Sequence, residues 1–494
     1  MGYPEYQVII GLEIHAELAT ESKVFCSCPT TFGAAPNTQV CPICLALPGA
    51  LPVLNEKAVE LAVKAGLALG CEIPPFSRFD RKHYFYPDLP KAFQTSQLDH
   101  PLCRSGIVEF RVDDQTYQVR INRVHLEEEA GKSVHSGERL QGSHYSLMDL
   151  NRGGLPLIEI VTEPDLRSGE QAKAFLERLR TILRYIEVSD CKMQEGSLRC
   201  DANVNLSIND NGKNVRTSIV EIKNLNSFRA VERAINYEAQ RQYEDYLDGN
   251  MSLNAGKITA GWSDAEGRTY VQRQKEQADD YFYFPDPDLV PIEISAEQVE
   301  SWRSQLPELP AEREARFVTQ YGLSAYDAGV LTAAKGIADF YETVVENFDG
   351  DPKIVANWVM GEVLRMLKDA GDEAEQALAE APLKPHMLAE LLQLLQSGAI
   401  NGNQAKEVFA EMWTSGKDAA VVVKERGFEQ ISDTAAIAEL VNAVIAANPK
   451  VIADIQGGKT SAMGFLVGQV MKKTAGKANP KLVNQLIREQ LNIT

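Results

Sequence analysis

No stretch of this chain approaches the roughly 20 apolar residues that a membrane-spanning helix requires. The longest apolar run, around Leu45 to Leu54, is broken by Pro48 and Pro52. A membrane span is therefore excluded. Aromatic residues are scarce, at 7%, but 44% of the 494 residues are hydrophobic, too many for a chain dominated by disorder. Length alone suggests about three domains, at roughly 150 residues each. Basic residues are outnumbered, 50 against 69, and the net charge of −19 excludes a protein that grips a polyanion with its whole surface. Glu5 and immediate strand-like alternation leave no cleavable signal at the start, so a cytoplasmic protein is expected. Common nucleotide signatures are missing too. Gly131-Lys132-Ser133 and Gly458-Lys459-Thr460 invite a phosphate-loop reading, but the glycine required five residues earlier is Leu126 in one case and Ala453 in the other. Neither a Gly-x-Gly-x-x-Gly nor a His-Glu-x-x-His motif occurs, so any nucleotide site is of another type.

Charge is unevenly placed. Residues 451–494 hold Lys459, Lys472, Lys473, Lys477, Lys481 and Arg488 against only Asp454 and Glu489. A basic end on an acidic body suits a protein that meets a polyanion with one part only. The eight cysteines do not read as a disulfide set in a chain expected to stay reduced. Four are clustered as Cys26-Ser27-Cys28 and Cys41-Pro42-Ile43-Cys44, two close pairs that can supply four thiolates to a structural zinc. Cys71, Cys103, Cys191 and Cys200 are scattered and read as core.

Residues 1–292 are rich in alternation and turns, and the remainder is dominated by helical spacing. Pro285, Pro287 and Pro291 mark the change, and Ser397 to Gly402 marks a second boundary. The expected domains are 1–292, 293–402 and 403–494. His83-Tyr84-Phe85-Tyr86-Pro87-Asp88 and Tyr281-Phe282-Tyr283-Phe284-Pro285-Asp286 are alike, but aromatics leading into a Pro-Asp turn explain both without a duplication.

The opening segment is the clearest strand. Val8, Ile10, Leu12, Ile14 and Ala16 take one side, and Gly11, Glu13, His15 and Glu17 take the other. The pattern recurs where Leu198, Cys200, Ala202 and Val204 alternate with Glu195, Ser197, Arg199, Asp201 and Asn203. Glu159 and Glu163 share a side, as do Glu221 and Lys223, and His125, Glu127, Glu128 and Glu129 add further acid. A sheet solvated on one face explains each strand alone. Carboxylates interleaved with Arg199 and Lys223 also suit the surroundings of a divalent cation and a nucleotide phosphate.

Several segments resemble the B subunits of tRNA-dependent amidotransferases. They are Gly11-Leu12-Glu13-Ile14-His15, Tyr84 to Lys91, His125-Leu126-Glu127-Glu128, Asp149-Leu150-Asn151-Arg152, Pro156 to Asp165, Glu195 to Asp201, Lys223 to Phe228 and Gly464 to Gln469 with Gly476 to Pro480. The resemblance runs in order along essentially the whole chain. It implies an α+β fold: an N-terminal antiparallel-sheet catalytic domain resembling the glutamine synthetase type, followed by all-helical domains. It also implies a ligase that uses ATP and Mg²⁺ to phosphorylate the side-chain carboxylate of Glu-tRNA(Gln) or Asp-tRNA(Asn) before ammonia attacks. A partner A subunit would supply ammonia from glutamine through an internal channel, and a small C subunit would fasten the two larger ones together. On this resemblance Glu13, His15, Glu127 and Glu128 are the expected catalytic residues. Glu13, His15, Glu128, Glu159 and Glu195 are the expected magnesium ligands. Lys91, Arg199 and Lys223 are expected at phosphate, and Cys26, Cys28, Cys41 and Cys44 at a structural zinc. Lys459, Lys472, Lys473 and Lys477 are expected to touch tRNA. A non-catalytic tRNA-binding scaffold is the alternative.

Overall fold

A computed structural model describes residues 4–135, 145–210, 212–250, 257–274, 281–428, 434–456, 463–474, 478 and 480–491. The chain divides into two compact units, Met1–Pro310 and Ala311–Thr494. None of its described helices is long and apolar enough to cross a membrane.

The alternation of the opening segment becomes the Glu5–Glu17 strand, which lies inside a nine-stranded sheet. Leu198–Asp210 pairs with it on one side and Pro156–Thr162 on the other, both antiparallel. Gln115–Glu128 and Cys103–Val112 extend the sheet beyond Pro156–Thr162. Val220–Leu225, Ile258–Ser263 and Arg268–Gln274 extend it in the other direction, and Val220–Leu225 with Ile258–Ser263 is a parallel pair in an otherwise antiparallel sheet. One face carries Ile10, Ile14, Ala16, Leu126, Ile158, Ile160 and Ala202, all fully buried. Each large aliphatic side chain so buried contributes about 1.5–3 kcal/mol, so an aspartate at Ile14 would break this layer.

Helices cover that face. Gly169–Tyr185 presents Ala172, Phe175, Leu176, Leu179 and Leu183 at helical spacing, and Ser168 caps it by accepting from the Gln171 N–H. It crosses Phe228–Leu247 at Gly169, where a Cβ would lie 2.5 Å from the Glu232 carbonyl oxygen. Only glycine permits that approach. With apolar helices on one face, the alternating polar residues are left on the other.

A three-stranded sheet of Phe282–Pro285, Asp80–His83 and Phe93–Ser96 stands beside the Gln115–Glu128 strand. The two similar aromatic segments thus meet: Phe282 pairs with His83 and Phe284 with Arg81. Arg81 lies 4.3 Å from the Phe93 ring centroid and forms ion pairs with Asp286 and Asp288.

The second unit is helical, with two separate cores. One runs from Phe317 to Val423 and the other from Ile437 to Ile487. In the first, burial would raise Glu342, but Arg316, Tyr321 and Arg313 outweigh it and hold the carboxyl down to about 2.

Candidate functional site

Strand register assembles the site. His15 stands opposite Arg199 on one neighbour and Glu159 on the other, and Glu159 stands opposite His125. Arg199, His15, Glu159 and His125 therefore form one row across four strands on the face away from the helices. Glu127, two residues beyond His125, reaches back toward the same point. His15 Nε2 is 3.5 Å from both Glu127 and Glu159, and His125 Nε2 is 3.6 Å and 3.3 Å from them. Two imidazoles and two carboxylates thus alternate around one centre. Arg123 Nε reaches His125 Nδ1 at 3.4 Å, and Ser96 Oγ donates to Glu127 at 3.2 Å.

Burial would push both glutamates up, but the imidazoles reverse this. Hydrogen bonding and charge from His125, with His15, hold Glu127 below the carboxylate range and Glu159 well below it. Burial would also lower the histidines, yet the two carboxylates overcome it, raising His15 and holding His125 at about 9. Lys82 belongs to the same field. Burial would lower it, but Tyr283, Glu127 and Glu159 keep it above its ordinary value. Its ammonium lies 4.9 Å from the Tyr281 ring centroid.

The donor set fits a divalent cation. One ligand atom each from His15, Glu127 and Glu159 lies within 4.8 Å of the others. Two buried carboxylates side by side repel each other, and protonated histidines or a cation can offset that repulsion.

The structure does not bring every expected residue into this group. Glu128 points to the other side of its strand, where Lys91 and the Thr95 N–H hold it. Glu13, one step along its strand from His15, accepts from Asn203 at 2.9 Å and lies 3.7 Å from Lys257. Lys223 binds Asp201, and beside it Glu221 accepts from Lys257 and Thr259 at 3.0 Å. Arg199 is tied to Glu129. Glu195 stands apart, bonded to Lys192 at 3.1 Å. Lys472 and Lys473 are exposed in the last turn of the Met463–Lys473 helix, and Lys459 and Lys477 lie outside the described residues.

Three residues without an expected role stand in or beside the site: His125, Lys82 and Arg152. Arg152 donates to Glu17 at 2.6 Å and lies 3.5 Å from Glu129. Burial pushes Glu17 up to about 7, against the pull of Arg152 and with the help of Glu129.

The four clustered cysteines converge. Cys44 Sγ is 3.5 Å from Cys26, 3.7 Å from Cys41 and 3.8 Å from Cys28. A tetrahedral zinc with bonds of about 2.3 Å has sulfur–sulfur edges of about 3.8 Å, so the residues present fit that ion. Cys44 is held down to about 4, chiefly by the hydrogen bond with Cys26, while burial pushes Cys28 up to about 11. A small cleft borders this group, lined by Lys23, Cys44, Asp88, Lys91, Glu128 and Glu129 among others.

Two family profiles match the chain: the GatB/GatE catalytic domain over residues 8–300 and the GatB domain over residues 339–491. The chain is 53% identical over 487 residues to the B subunit of the aspartyl/glutamyl-tRNA(Asn/Gln) amidotransferase of Moorella thermoacetica, covering 99% of this chain and 100% of that one. The protein of the same name from Caldanaerobacter subterraneus is 52% identical over 488 residues, with the same coverage. That from Thermodesulfovibrio yellowstonii is 49% identical over 483 residues, covering 98% of each. The chain belongs to the GatB/GatE family.

Proposed function

We propose that this chain is the B subunit of a glutamine-dependent amidotransferase, a ligase that converts Glu-tRNA(Gln) to Gln-tRNA(Gln), Asp-tRNA(Asn) to Asn-tRNA(Asn), or both. The reading is supported by the family and by one feature of the sheet: the His15–Glu127–Glu159 group with His125 behind it and Lys82 beside it.

A carboxylate is a poor acceptor for ammonia, because expelling an oxide is prohibitively slow. Phosphorylation solves this: a carboxylate oxygen of the tRNA-bound amino acid attacks the γ-phosphorus of ATP, ADP departs, and ammonia then displaces phosphate at the carbonyl carbon. The first step brings two anions together, so it depends on charge neutralisation and alignment rather than on a protein nucleophile. Mg²⁺, when bound, would supply that neutralisation. His15, Glu127 and Glu159 would hold it, and Ser96 and His125 fix the two carboxylates in place. Lys82 offers a cation to the phosphoryl oxygens. Arg199 and Lys223, both on this face, are further phosphate contacts. Glu13 and Glu195, bonded to Asn203 and Lys192, are outlying carboxylates beyond the group that would hold the ion, and Glu128 with Lys91 lines the cleft.

The same reading makes the cysteine group a structural zinc site. It requires a partner A subunit to release ammonia from glutamine along an enclosed path, since ammonium has no lone pair for attack. A small C subunit joins the two, and the assembly works in the cytoplasm. Lys472 and Lys473, with Lys459 and Lys477, contact tRNA phosphates.

The test is single-turnover phosphorylation of Glu-tRNA by labelled ATP, using the complex with Glu159→Gln, His15→Ala or Glu195→Gln. Loss of the phosphorylated species with the first two and its retention with the third are expected. Unchanged phosphorylation by Glu159→Gln and His15→Ala would instead favour a scaffold that binds tRNA without performing the chemistry.

A further inference from the structure

Lys23 is a fully buried lysine, and a buried ammonium requires an anion. It forms no ion pair with a carboxylate among the described residues. Its Nζ donates instead to Cys44 Sγ at 3.6 Å and to the Leu150 carbonyl at 3.2 Å. The cysteine group is the nearest source of negative charge that those contacts offer. Four thiolates around a dipositive ion leave a net charge of −2, which a buried cation is well placed to offset.

The second contact leads elsewhere. Leu150 lies in the segment that carries Arg152, and the loop between the two cysteine pairs is stitched to that segment. Asn37 donates from its backbone to Asp149 and from its side chain to the Met148 carbonyl, and it accepts from the Leu150 N–H. The Gln39 N–H donates to Asn151, whose amide donates to the Ala35 carbonyl. The Val24 N–H donates to the Gly154 carbonyl at 2.9 Å. At the far end Arg152 holds Glu17, Glu129 and the Gly196 carbonyl. The cysteine loop and the polar face of the sheet therefore share one short segment, and Lys23 bridges the two.

We propose that Lys23 is a positioning residue: its ammonium offsets the charge of the tetrathiolate metal centre and, through Leu150, couples that centre to the segment that aims Arg152 at Glu17 and Glu129. The proposal rests on the zinc reading above. The reverse dependence follows, since removing the ion leaves the buried ammonium without its partner and loosens residues 148–154.

The experiment compares the full chain as wild type, Lys23→Met and Lys23→Arg. Metal analysis comes first, then zinc transfer to a chromophoric chelator, and then the thiolate-to-cobalt absorption of the Co²⁺-substituted protein. Wild type is expected to carry zinc. Lys23→Met keeps the stem and loses the charge, so zinc release should accelerate, roughly 10- to 100-fold as for other groups that support metal ligands. The cobalt band should move to lower energy, and Lys23→Arg should recover both. Hydrogen exchange across residues 148–154 should rise on chelation in wild type, a readout that survives if Lys23→Met fails to fold. Zinc-loaded Lys23→Met with wild-type release and band position overturns the role of Lys23 while leaving the zinc site intact, and so does unchanged exchange on chelation. A reduced wild-type chain without zinc overturns the zinc reading itself.

Discussion

Glu159→Gln removes one charge from the centre of the site with almost no change in shape. Glu159 lies 3.5 Å from His15 and 3.3 Å from His125. Holding His125 at about 9 rather than 6.5 corresponds to roughly 3 kcal/mol, at 1.36 kcal/mol per pH unit. Glu127 shares that effect from 3.6 Å, but burial pulls the other way, so the two carboxylates together supply more than the net rise and the substitution should bring His125 down by at least about 1 pH unit. The assay is an NMR titration of ¹³C-labelled imidazoles in the metal-free chain, wild type against variant. Stability should follow. The folded-state value of His125 lies above the unfolded one, so its contribution is complete below about 6.5 and is lost as pH rises through about 9. Glu127 and Glu159 are held below their ordinary value, so theirs is complete above about 4.5 and is lost as pH falls. The metal-free wild type should therefore draw most from this cluster between about pH 4.5 and 6.5, and Glu159→Gln should flatten both flanks. A divalent cation needs His15 neutral, so its binding should expel protons and tighten as pH rises. His125 titrating near 6.5 in wild type, or a curve unmoved by Glu159→Gln, would refute this account.

Lys82→Met should slow single-turnover phosphorylation by about 10²-fold, the order expected for losing one preorganised positive group, with the melting temperature nearly unchanged; an unaltered rate would remove Lys82 from the site. Cys41→Ser combined with Cys44→Ser should abolish zinc, measured by metal analysis, and lower the melting temperature of the full chain. Deleting residues 434–494 removes the Ile437–Ile487 core and spares the one ending at Val423. It should weaken tRNA retention in a filter-binding assay and leave glutamine hydrolysis by the partner intact. Gly169→Val should cost about 1–3 kcal/mol in denaturant unfolding, because its side chain would meet the Glu232 carbonyl at the helix crossing.

Alternation made much of this legible. It placed Glu13, His15 and Glu17 opposite the buried row from Ile10 to Ala16 before any neighbour was known. The same rule separates Glu127 from Glu128: Val124 and Leu126 are buried in the core, so His125 and Glu127 must face the other way and Glu128 cannot join them. Reading His125, Glu127, Glu128 and Glu129 as one acidic stretch blurred that distinction. Which strands stand side by side was not legible from the pattern alone, because the pairing of Glu159 with both His15 and His125 is a matter of register between segments far apart in the chain. Lys82 was hidden for a related reason, since its four-residue strand has meaning only when paired with Phe282–Pro285. Cysteine spacing announced the four-thiol cluster, but nothing local marks Lys23, because a lysine is ordinarily solvent-exposed. Composition can therefore nominate the carboxylates, whereas the cations that make them useful are identified only once the strands are paired. A search for such sites should begin with buried cations that lack a carboxylate and ask what anion the fold holds for them.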